Sequence, residues 1–120
     1  MSPKKPRPKQ LRGETLEMKS PCGELYVTLN DNPESGRLEE IFVRFGKSGT
    51  CASLVANALT MVTSYGLRSG MEITDAVKGL IGHGCHRSPV LDEDGERISS
   101  CVDAIGRAIR LHVGLAPAGE

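Results

Sequence analysis

The sequence predicts a two-layer α+β domain, with a small antiparallel sheet of two or three strands packed by about three helices. Three observations carry this. Apolar and polar residues alternate through the first part of the chain as far as Phe45, the period of a strand with one buried face. The period changes after Gly46, and apolar residues then recur every three or four positions, as on a helix. Strands come first and helices after, rather than in the βαβ alternation of a parallel sheet. The chain has 120 residues and no internal repeat, which suits one domain.

Residues 14–19 alternate weakly, with Leu16 and Met18 on one side. The turn Pro21-Cys22-Gly23 leads into residues 24–30, where Leu25, Val27 and Leu29 oppose Glu24, Tyr26 and Thr28. A turn cluster, Asp31-Asn32-Pro33-Glu34-Ser35-Gly36, precedes residues 38–45, where Ile41, Val43 and Phe45 share a face against Phe42 and Arg44. Two such strands across a short polar loop read as an antiparallel hairpin, to which residues 14–19 add a third member.

From Cys51, the residues Val55, Ala58, Val62 and Tyr65 follow helical spacing, flanked by Leu54 and Met61; Ser48 or Thr50 can cap the start, and Gly70 ends the helix. A shorter helix carries Ile73, Ala76, Val77, Leu80 and Ile81 and runs into Gly82-His83-Gly84-Cys85. Residues 87–97 read as irregular, with an acidic turn at Asp92-Glu93-Asp94-Gly95. Ser100 then caps a third helix, with Asp103 three positions on in an approximate capping box. Cys101, Ile105, Ala108, Ile109 and His112 lie along one side of it. The expectation is that all three helices cover one sheet face.

The formal net charge of zero hides an asymmetry. Residues 1–12 hold five of the fifteen basic side chains and no acid, whereas residues 13–120 hold ten basic and fifteen acidic ones. With Pro3, Pro6 and Pro8 in it, the segment 1–12 is expected to be a disordered basic tail. Residues 13–114 form the folded domain and 115–120 a frayed end. The tail could contact nucleic acid electrostatically, but the acidic body argues against that role, as does an aromatic content of 3%. No apolar run approaches the ~20 residues of a membrane span. The N-terminus lacks the apolar stretch of a secretory signal, so a cytoplasmic location is expected.

Cys22, Cys51, Cys85 and Cys101 are the residues that carry chemistry. They contain no C-x-x-C pair, so spacing alone says little about metal. Each sits at the edge of an element, and Gly23, Gly49 and Gly84 stand beside three of them. Cys51 and Cys101 begin helices, where free N–H groups stabilise a thiolate. Three readings stay open: buried cysteines without a partner, a closed four-thiolate zinc site, and redox pairing. His83 and His86 flank Cys85 and could replace one sulfur.

Catalytic patterns are absent. Gly46-Lys47-Ser48 ends like a phosphate-binding loop, but the glycine required five positions earlier is Ile41. An anion could still rest on Lys47 and the helix start that follows it. His83, His86 and His112 belong to no Ser/His/acid order, and the acidic turn lacks the pattern of a calcium loop. The chain reads as non-catalytic.

Four blocks follow one another in the order of a known family: Cys22-Gly23-Glu24-Leu25-Tyr26-Val27-Thr28, Gly46-Lys47-Ser48-Gly49-Thr50-Cys51-Ala52, Leu67-Arg68-Ser69-Gly70 and Ser100-Cys101-Val102-Asp103-Ala104-Ile105. They resemble the TSCPD domain, which is similar to the C-terminal module of adenosylcobalamin-dependent ribonucleotide reductases and also occurs as short stand-alone proteins. The likeness spans residues 16–113. The family's Thr-Ser-Cys-Pro-Asp stands as Ser99-Ser100-Cys101-Val102-Asp103, and His86 is not carried over as a ligand. The resemblance implies that all four cysteines correspond to the family's own, around a shared metal (zinc) or thiol site. It also implies an accessory role beside a ribonucleotide reductase or another protein of nucleotide metabolism. A chain of this length cannot itself hold the reductase barrel and its cobalamin site, so it is not a reductase alone. A thiol-redox helper to such an enzyme is the alternative.

Overall fold

The computed structural model describes residues 3–46 and 51–114. Strands β1 (Arg12–Met18), β2 (Leu25–Asp31) and β3 (Leu38–Phe45) form an antiparallel sheet in the order β1-β2-β3. Helices α1 (Cys51–Arg68) and α2 (Ile73–Leu80) follow, then a hairpin of two-residue strands, β4 (Val90–Leu91) and β5 (Arg97–Ile98), and finally α3 (Cys101–Val113). The α+β class is the one the sequence predicts. The β4–β5 hairpin falls in the stretch read as irregular, because two residues a side show no alternation. Its turn is held by Asp92, whose carboxylate accepts from the N–H groups of Asp94 and Glu96 at 2.9 and 2.8 Å. No described helix is long and apolar enough to cross a membrane.

Leu25, Val27 and Leu29 of β2 are fully buried, and Ile41, Val43 and Phe45 of β3 lie beside them on the same face. α3 closes that face with Ala104, Ile105, Ala108 and Ile109, all fully buried. α2 packs against α3 rather than on the sheet. The two helices meet at Gly106, where an added Cβ would lie 2.9 Å from the Leu80 Cβ. The opposite sheet face carries Tyr26, Arg44 and Phe42, with the Arg44 guanidinium 5.2 Å from the Tyr26 ring centre.

α1 departs from the expectation that every helix covers the sheet face. It runs along the free edge of β3, with Ser64 Oγ accepting from the Ile41 N–H at 2.9 Å and donating to the Ile41 carbonyl at 3.2 Å. Arg68 donates to the Glu39 carbonyl at 3.3 Å. An edge strand leaves backbone donors and acceptors unpaired, and burying them requires partners. The inward face of α1 is accordingly small and hydroxylic: Ser53, Ala56, Thr60, Thr63 and Ser64 are buried, with Leu67 and Arg68. Leu54, Val55, Met61, Val62 and Tyr65 point outward. The helical stripe legible in the sequence is therefore solvent-facing, and core residues that the pattern would supply come instead from β2, β3 and α3.

Residues 3–11 contain no helix or strand. They lie against the domain through an ion pair between Arg7 and the buried Glu40, and a bond from the Lys5 N–H to the Arg68 carbonyl. Burial raises the Glu40 carboxyl, but hydrogen bonds from Arg7 and Asn30 and the charge of Arg68 outweigh it and hold the group below its ordinary value.

Candidate functional site

The topology gathers three of the four cysteines at one end of the sheet. β1 and β2 join through the turn that holds Cys22, next to the Leu25–Phe45 pair of the register. Ser20 fastens that turn: its hydroxyl donates to the Gly23 carbonyl at 2.7 Å and accepts from the Cys22 N–H at 3.2 Å. Gly23 takes φ +116°, a conformation that side chains resist.

Both long helices begin at that end. The C-terminal turn of α3 is fixed at the far end of the sheet by His112, whose ring bonds Asp31 at 2.9 Å and also Glu14. Eleven residues of helix, about 16 Å of rise, then bring Cys101 back toward Leu25. Likewise α1 is pinned at Ser64 to Ile41. Its thirteen residues back to Cys51 cover about 20 Å, against about 13 Å of strand from Ile41 to Phe45. The first turn of α1 thus overhangs the sheet end where Cys22 lies. Cys51 is exposed there. The segment 47–50 before it lies outside the described residues, and with it the expected caps Ser48 and Thr50 and the Lys47 anion contact.

Cys85 arrives from the loop after α2. Asp103 anchors the start of that loop. This fully buried carboxylate accepts from the N–H groups of Gly82 and Ser99, both at 2.9 Å, and from Arg107 at 3.1 Å. Ser100 caps α3 by accepting from the Asp103 N–H at 3.0 Å. The capping box of the sequence is present with one change: the return bond goes to Ser99 rather than Ser100. Asp103 therefore ties the approach to Cys85 and the approach to Cys101 to one side chain, a role its capping spacing alone did not reveal.

Cys22 lies in reach of both Cys85 and Cys101. Burial first, then the charge of Cys101 and contact with Cys85, push the Cys22 thiol up to about 11. The Cys85 thiol moves the other way. The backbone N–H of Arg87 lowers it most, against the effect of burial, and Cys22 adds to the lowering. All four cysteines are free thiols, with Cys22, Cys85 and Cys101 half-buried. Among the described residues, no group of three or more His, Cys, Asp or Glu side chains is arranged to hold a metal ion. The three thiols are neighbours rather than a preformed ligand shell. His83 turns back to the Gly79 carbonyl at 2.8 Å, and His86 Nδ1 stands 3.9 Å from the Cys85 sulfur.

The donor set is chemically suited to a soft or borderline cation. The Cys22 sulfur lies in reach of both Cys85 and Cys101, whereas Cys51 opens α1 on its exposed side, opposite the buried Ser53, Ala56, Thr60 and Ser64. Comparison with protein-family models matches residues 1–113 to the TSCPD domain, reaching farther toward the N-terminus than the four sequence blocks do. No curated protein and no solved structure matches the chain.

Proposed function

This chain belongs to the TSCPD domain family, and from that premise we propose that it is a small non-catalytic accessory domain holding one structural zinc ion through Cys22, Cys51, Cys85 and Cys101. The observation that supports this reading is the meeting of Cys22, Cys85 and Cys101 from three distant segments, at the sheet end where α1 also begins. Zinc supplies a cross-link and neutralises thiolate charge; four protein ligands leave no position for substrate, so its role is structural. Because Cys51 is exposed and apart from the other three, a closed shell would require the Cys85 loop and the first turn of α1 to shift, the usual coupling of site and fold. The domain then serves as an interaction module, with a ribonucleotide reductase or another protein of nucleotide metabolism as the partner that the family likeness implies.

Metal analysis with thiol titration before and after chelation tests this. One zinc per chain, with thiols protected until chelation and metal lost in Cys101→Ser, is the expected result. Metal-free protein with four freely titrating thiols overturns it. A thiol-redox role is the second reading, favoured by the lowered Cys85 thiol in reach of Cys22. In that case Cys22 and Cys85 give two electrons and two protons to a partner disulfide and become a disulfide themselves. The couple to look for is Cys22 with Cys85, by mass spectrometry of mildly oxidised, metal-free protein.

A further inference from the structure

The outward face of α1 is the largest unexplained feature of the molecule. Leu54 is 71% exposed, Val62 66%, Val55 58%, Met61 54% and Tyr65 41%. At 100° per residue these side chains, with exposed Ala58 among them, fall in one band about 120° wide. Phe42, 53% exposed on β3, lies across a groove of about 530 Å³ lined by Met61 and Tyr65 and also by Arg7, Glu40 and Arg68. Scattered exposed leucines need no explanation, but a contiguous apolar band does.

We propose that this face is the interface of a homodimer, in which α1 packs antiparallel against α1 of a second copy about a two-fold axis near Ala58. Area is the first argument. Six large side chains exposed to this degree offer on the order of 700 Å² per chain, close to the ~800 Å² that each partner gives to a stable interface. Charge is the second. Residues 51–67 include no Asp, Glu, Lys or Arg, so the centre of the band carries no charge into the contact; Lys4, 4.1 Å from the Tyr65 ring centre, and Arg68 stand at its rim. Shape is the third. A two-fold contact brings each residue against its counterpart reflected through the axis. Centred on Ala58, it sets Leu54 against Val62 and Val55 against Met61. The small residue at the crossing lets the axes approach within about 8 Å. Antiparallel pairing also sets the two helix dipoles in opposition. The proposal goes beyond the metal reading; Cys51 falls within the same band, so zinc drawing that turn inward would take Cys51 out of the contact without touching the residues around Ala58.

Sedimentation equilibrium of the full chain, with and without zinc, tests it. The expected result is a dimer at micromolar concentration. Val62→Glu occurs twice in a two-fold contact and should weaken it at least ~100-fold while leaving the far-UV spectrum unchanged. Leu54→Lys should act similarly, and combining the two places opposite charges face to face and restores part of the lost affinity. Wild-type protein that stays monomeric at ~100 μM overturns the proposal and assigns the face to a different protein. A dimer indifferent to Val62→Glu overturns it as well.

Discussion

Replacing Asp103 by Ala removes three hydrogen bonds at once and leaves their donors behind. The N–H groups of Gly82, an exposed residue, and of half-buried Ser99 bond a carboxylate that is fully buried, and both lose that charged partner. Each orphaned donor costs about 1–3 kcal/mol. Arg107 is less affected, because it keeps its ion pair with the half-exposed Glu96. The sum is about 3–5 kcal/mol, in line with breaking a buried charged network. That is a large fraction of the ~5–15 kcal/mol stability of a domain. In a chain of this size it lowers Tm by on the order of 15 °C or more. Asp103→Asn should recover little, since a carboxamide presents one acceptor oxygen where two are used, and aims a donor at donors. Urea denaturation followed by far-UV dichroism at neutral pH gives the number. A loss below ~1 kcal/mol for Asp103→Ala would refute the view that this side chain organises the loop and the helix start together.

His112 gives the domain a dependence on pH. Burial lowers its pKa, but the hydrogen bonds and charges of Asp31 and Glu14 outweigh that and raise it above the ordinary value. Its contribution is therefore full below the unfolded-state pKa and is lost as pH rises through the raised folded one. His112→Gln should cost about 1 kcal/mol at pH 5.5 and much less at pH 8.5, read as the difference in urea midpoint; an equal loss at both values would contradict the clamp. Gly106→Ala meets backbone as well as side chain, at 3.1 Å from the Ile81 N and 2.9 Å from the Leu80 Cβ. The crowding, about 1–3 kcal/mol, should exceed the ~1 kcal/mol gained in helix propensity, so the melting temperature falls; a rise would mean that α2 yields easily.

Residues 38–45 and the helix after Gly70 are legible from the sequence to within a residue, because alternation and helical spacing are strong local signals. The orientation of α1 is not. The rule that an apolar stripe turns inward assumes that the surface beneath is apolar, whereas the surface beneath α1 is a strand edge that needs hydroxyls. Ser53, Thr60, Thr63 and Ser64, four hydroxyls on one helix face, were the available signal. For the candidate site, the sequence placed each cysteine at an element boundary, but which boundaries meet depends on strand order and helix direction. Those follow from long-range contacts such as His112 with Asp31, which leave no trace in spacing. Asp103 was visible as a cap; its reach to Gly82, twenty-one positions away, was not.

The manner in which α1 is fastened shapes how the domain comes apart. Its anchorage rests on hydroxyl and guanidinium bonds to the β3 edge and on Ala56, Leu59 and Leu67, so peeling it away uncovers less oily surface than parting the sheet from α3. Such an opening depends weakly on denaturant and carries a small heat capacity. The sheet and α3, which share the dense core, give way together at higher cost. In the monomer, amide protons along α1 should then exchange with deuterium by a route of their own, ahead of those in β2 and α3. The Ile41 amide, released whenever Ser64 withdraws, reports each such event from the strand side.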